Sequence, residues 1–135
     1  MAEPLDDDTL AFAHRVFDLA RAGAADELSG LLEAGLPPNL TNDNGDTLLM
    51  LAAYQDHPTT VRLLIERGAD TARVNDRGQT ALGAAVFRRS PASVRSLLDH
   101  GADPDLGSPS AREVAVFFEL ADMVELLDGE VRGQS

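Results

Sequence analysis

The chain repeats itself after 33 residues, and nothing else in the sequence restricts its fold as strongly. Asn42-Asp43-Asn44-Gly45-Asp46-Thr47-Leu48-Leu49 returns as Asn75-Asp76-Arg77-Gly78-Gln79-Thr80-Ala81-Leu82. Val61, Leu64, Ile65 and Gly68-Ala69-Asp70 return as Val94, Leu97, Leu98 and Gly101-Ala102-Asp103. A step back by 33 sets Val16, Ala20, Leu28, Leu31 and Gly35 under Leu49, Ala53, Val61, Leu64 and Gly68. A step forward takes 30, with Ser110, Ala115, Val124 and Leu127 matching Thr80, Ala85, Val94 and Leu97. The expected organisation is a single domain over 1–135 with units at about 9–41, 42–74, 75–107 and 108–128, and a flexible tail at 129–135.

Each unit reads as a turn and two short helices. Asp43-Asn44-Gly45 and Asp76-Arg77-Gly78 are turn sequences in which glycine supplies positive φ. Thr47 and Thr80 suit the start of a first helix, and Ser90-Pro91 that of a second, with His57-Pro58 a weaker version. The second helix carries Val61, Leu64 and Ile65, or Val94, Leu97 and Leu98, at i, i+3, i+4, and ends at Gly68 or Gly101. Helices this short do not persist alone, so stacking is obligatory and the outermost units should present polar faces. Asp26, Glu27 and Glu33 in the first unit, and Glu119, Asp122, Glu125 and Asp128 in the last, fit that role.

A turn-helix-helix unit of this period, with Asn-Asp-x-Gly-x-Thr at the turn and Gly-Ala-Asp after the second helix, resembles an ankyrin repeat over about residues 9–128. The resemblance implies an all-α solenoid of about four units, eight short helices joined by hairpin-like turns. The family's Thr-Pro-Leu-His reads Thr47-Leu48-Leu49-Met50 and Thr80-Ala81-Leu82-Gly83, so the Pro and the turn-bonding His are missing. Arg112 stands in the slot of a core leucine. The resemblance further implies a cytoplasmic scaffold without an active site that binds a protein partner along a concave surface of turn tips and first helices.

Composition narrows the chemistry. Cys and Lys are absent, which removes disulfides, thiolate nucleophiles, Schiff-base lysines and a phosphate-loop lysine. No apolar stretch is long enough to span a bilayer, and no secretion signal is read at the N-terminus. The formal charge of -12 divides as -6 over residues 1–41, -2 over 42–106 and -4 over 107–135, so the acidity lies towards the ends. That balance argues against nucleic acid and against an anionic membrane surface as partners. His14, His57 and His100 are out of phase with the repeat, and no ligand spacing accompanies them, so no metal and no other cofactor is expected. Asp6-Asp7-Asp8 reads as a solvated helix start. The seven serines include neither a nucleophile elbow nor Ser-x-x-Lys, and no enzyme activity or small-molecule substrate is expected.

The candidate partner site comes from repeat equivalence. Arg21, Tyr54, Phe87 and Phe117 share the slot that ends the first helix, so three of the six aromatic side chains fall in one column. The next column is Ala22, Gln55, Arg88 and Phe118. Exposed, the rings would mark a binding stripe; folded inward, they would be core, and the sequence leaves both open. The expected binding set is Tyr54, Gln55, Phe87, Arg88 and Phe117, flanked by exposed turn tips at Asp43, Asn44, Asp46, Asp76, Arg77 and Gln79. A monomer binding a foreign protein is the primary expectation. The alternatives are a homo-oligomer through the stripe and an acidic decoy occupying a basic site on an enzyme.

Overall fold

In the computed structural model, which describes residues 7–133, eight helices follow one another as four antiparallel pairs. They are α1 (Asp7–Ala22), α2 (Ala25–Glu33), α3 (Leu48–Tyr54), α4 (Pro58–Glu66), α5 (Ala81–Phe87), α6 (Pro91–Asp99), α7 (Ala111–Phe117) and α8 (Ala121–Gly133). The first helices α1, α3, α5 and α7 pack in one row, and α2, α4, α6 and α8 in a second. Among the described residues, β pairing is limited to isolated bridges at Thr41–Thr47 and Gly107–Ser110.

Local chemistry explains the boundaries. The side chains of Thr47, Thr80 and Ser110 accept hydrogen bonds from the backbone N–H of Met50, Gly83 and Glu113, and Glu113 reaches back to the Ser110 N–H to complete a capping box. Pro58 and Pro91 open α4 and α6, where a missing N–H costs nothing. Gly68 and Gly101 follow α4 and α6 with positive φ. The corresponding slot after α8 holds Val131, which resists that conformation, and the helix continues to Gly133. Residues 129–133 are therefore helical where a flexible tail was expected; 134 and 135 lie outside the described residues, as does Asp6 of the acidic start.

The core is a spine shared by neighbouring pairs. Val16, Leu28, Leu49, Leu64, Leu82, Leu97, Met123 and Leu127 are fully enclosed. Burying one such aliphatic side chain contributes roughly 1.5 to 3 kcal/mol. The rows depend on one another, because each inner first helix, α3 or α5, packs between two others. Val86 on α5 is 0% exposed because α7 lies on it.

The turns are held without the missing Pro and His. Asn42 Oδ1 accepts from the N–H of Asn44 (2.9 Å) and of Asp46 (3.0 Å). Asn75 Oδ1 accepts likewise from Arg77 (3.0 Å) and Gln79 (2.9 Å). Successive tips are also joined to each other. The Asp76 N–H donates to Asn44 O (3.0 Å), Asn75 Nδ2 donates to Asp46 Oδ1 (2.7 Å), and the Ser108 N–H donates to Gly78 O (2.8 Å).

Candidate functional site

Tyr54 ends α3 and Phe87 ends α5, so their side chains project at equivalent points along the row of first helices. Tyr54 is half-buried, whereas Phe87 remains 49% exposed. Both line a hollow of about 220 Å³ with Gln79, Thr80, Gly83, Pro109, Val114 and Phe118. Gly83 lacks a side chain there and Thr80 is occupied in capping α5, which leaves the hollow mostly apolar. Burial, chiefly, and the Asp46 carboxylate hold the Tyr54 phenol above its usual pKa, while Arg77 acts in the opposite sense.

The last aromatic of the stripe is not the expected one. Phe118, at the C-cap of α7, stands edge-on to Phe87, with centroids 5.4 Å apart at 68°. Phe117 is 78% exposed and lies on the outer side of α7, touching Phe118 at 4.9 Å. It lines a different, open cleft of about 760 Å³ with Pro109, Arg112, Glu113, Val114, Val116 and Phe118. Sequence equivalence assigned Phe118 to the neighbouring column and passed over Pro109 and Val114, because a repeat alignment fixes slots but not how a ring turns.

The turn tips divide into two kinds. Asp43, Asn44, Asp76 and Arg77 are exposed. Asp46 and Gln79, expected to be exposed, are half-buried and engaged: Asp46 accepts from Asn42 and Asn75 side chains, and Gln79 Oε1 accepts from Asn75 Nδ2 at 2.9 Å. The Asp46 carboxylate joins its own turn to the next, and the Gln79 amide braces the turn it belongs to. Gln55 and Arg88 are exposed at the C-caps of α3 and α5, outside the aromatic hollow. Asp43 and Asn44 belong to a polar hollow of about 390 Å³ with His14, Phe17, Asp18, Arg21 and Asn42. The row of first helices is thus bordered by a polar hollow at its α1 end and an aromatic one at its α5–α7 end.

The expected polar face of the last unit is absent from α7. Val116 occupies the slot of Val86 yet is 63% exposed, because among the described residues no helix lies on α7 as α7 lies on α5. The acids sit around this face instead. Arg112 bonds Asp105 at 3.0 Å and Asp128 at 2.5 Å, so a residue in a leucine slot is held at the end of the stack by two carboxylates. Arg89 holds Asp122 below the usual carboxylate range through a hydrogen bond at 3.0 Å.

Among the described residues no three His, Cys, Asp or Glu side chains converge as a metal site requires. His57 Nε2 lies 2.8 Å from the Arg21 carbonyl and His100 Nδ1 2.8 Å from that of Ser96, two unrelated settings. No helix of the described residues is long and apolar enough to cross a membrane.

A family model described as ankyrin repeats, in three copies, matches residues 17–108, well over half of the chain. An ankyrin repeat protein of Pseudomonas aeruginosa is 58% identical over 59 residues, which is 44% of this chain and 34% of that protein. The chain thus spans about a third of the length of this relative.

Proposed function

The chain belongs to the ankyrin-repeat family, and from that premise we propose that it is a non-enzymatic module holding a protein partner on its concave side. Ankyrin repeats are in general interaction modules, and the observation that carries the finer reading is the aromatic hollow. Tyr54, Phe87 and Phe118 surround a space large enough for a partner's apolar side chain, at a surface where water alone would favour polar groups. Gln55 and Arg88 border this anchor point, with Asp76 and Arg77 at the adjoining tip. Asp43 and Asn44 meet the polar end of the partner beside Arg21 and Asp18. Phe117 takes no part in this groove, and Asp46 and Gln79 act by stiffening its lip.

The preferred occupant is an extended peptide or a helix face with apolar residues at one end and charges of both signs at the other. Capture from native lysate by the wild-type chain, beside the Tyr54→Ala/Phe87→Ala variant, tests this. A partner retained by the wild type and lost by the variant, with the variant's stability lowered by less than about 1 kcal/mol, supports the groove. Equal capture by both proteins would refute it.

A further inference from the structure

We infer that the outer face of α7, at the end of the stack and adjoining the concave hollow across Pro109, Val114 and Phe118, docks a cationic amphipathic helix. The shape argument comes from the repeat itself. α5 presents Val86 to a helix, α7, and buries it completely; α7 presents Val116 from the same slot, and it stands 63% exposed with Phe117 beside it at 78%. The cleft of about 760 Å³ over Pro109, Val114, Val116, Phe117 and Phe118 is therefore the kind of surface that a helix covers one repeat earlier. Glu113 stands where α5 has Gly83, so an occupant cannot approach that end as closely and is seated over Val116 and Phe117.

Charge selects among helices. Among the described residues the rim carries Asp105, Glu113 and Asp128 against the guanidinium of Arg112, which already bonds Asp105 and Asp128. A helix with aliphatic residues on one side and Lys or Arg on its borders satisfies both the apolar floor and the acidic rim. A second copy of this chain, at a formal charge of -12, brings the same acids to the same place and is repelled.

The probe is a dye-labelled peptide of about 16 residues, long enough for a helix of several turns, with Leu on one helical face and Lys on the other. It is titrated into the full chain at about 0.1 M salt and followed by fluorescence anisotropy. Val116→Asn and Phe117→Asn, both exposed and so neutral for folding, each weaken binding by about tenfold or more, roughly the loss of one good apolar contact. Tyr54→Ala, a change in the hollow at a residue that does not line the cleft, leaves it unchanged within about twofold, which separates this face from the groove. The inference is overturned if the peptide does not bind, if a scrambled Leu/Lys peptide or its Leu/Glu counterpart binds equally well, or if the Asn variants bind like the wild type. Sedimentation that reveals a dimer dissolved by Val116→Asn would overturn it too, by assigning the face to a second copy.

Discussion

Phe118 closes the aromatic hollow by setting its ring edge against Phe87, a T-shaped contact at 5.4 Å between the C-cap of one first helix and the last residue of its neighbour. Edge-to-face pairs contribute about 0.5 to 1.5 kcal/mol beyond area burial, and partial exposure places this one at the low end. A double-mutant cycle with Phe87→Ala and Phe118→Ala should give a coupling of about 0.5 kcal/mol in urea unfolding. Strict additivity would mean that the two rings do not support each other.

Leu64→Ala and Leu97→Ala should each cost about 2 to 5 kcal/mol, because both side chains are fully enclosed between stacked pairs and their removal leaves a cavity. Thermal melts by circular dichroism read this directly, and a loss below about 1 kcal/mol would contradict the shared spine.

Three charged residues, Asp56, Arg89 and Glu119, sit at successive left-handed positions with φ of 60°, 53° and 55°, where the first unit has Gly23 at 72°. For a side chain with a Cβ that conformation costs about 1 to 2 kcal/mol, and the added freedom of glycine in the unfolded chain returns about 0.4 to 1. Glu119→Gly should therefore raise stability by about 0.5 to 1 kcal/mol. Gly78→Ala should do the reverse, by more than about 2 kcal/mol. Its φ is 79°, and the new Cβ would lie 2.6 Å from the Ser108 carbonyl oxygen, which is fixed backbone. Chemical denaturation of the pair checks both signs.

Ser93 Oγ is enclosed on α6 with no hydrogen-bond partner among the described residues. An unsatisfied buried hydroxyl costs about 1 to 3 kcal/mol, offset in part by the small void its removal leaves. Ser93→Ala should leave stability equal or raise it by up to about 1 kcal/mol; a clear loss in the melt would show that the hydroxyl is bonded.

Tyr54 is the only tyrosine and Trp is absent, so near-ultraviolet absorbance reports its ionisation alone. Burial and Asp46 raise its pKa in the folded chain, so the neutral phenol is the favoured folded form. Its contribution to stability is complete below the ordinary value of about 10 and is lost as pH rises through the higher folded value. The titration midpoint should lie above that of free tyrosine, and Asp46→Asn should lower it. A midpoint at the free value would place the ring in open solvent.

What could be read from the sequence was what repeats or is local. Thr47, Thr80 and Ser110 cap helices through bonds three residues away, so their roles follow from spacing alone. The eight helices and the spine of Leu64 and Leu97 follow from the 33-residue register. Exposure did not follow from it, because Val86 and Val116 share a slot and differ only in whether a helix lies on them. Phe117 and Phe118 were likewise exchanged in role, since adjacent positions at a helix end point to different surfaces. Asp46 and Gln79 looked free because their partners, Asn42 and Asn75, bond them by a turn geometry that residue types alone do not display.

The lacing of the turns decides how an arriving protein is received. With Asn44 tied to Asp76 and Gly78 to Ser108 through main-chain bonds, these loops have already surrendered their freedom before anything touches them. Association then carries little further entropic penalty on this side, and selectivity falls to how well an incomer matches a shape that will not adjust.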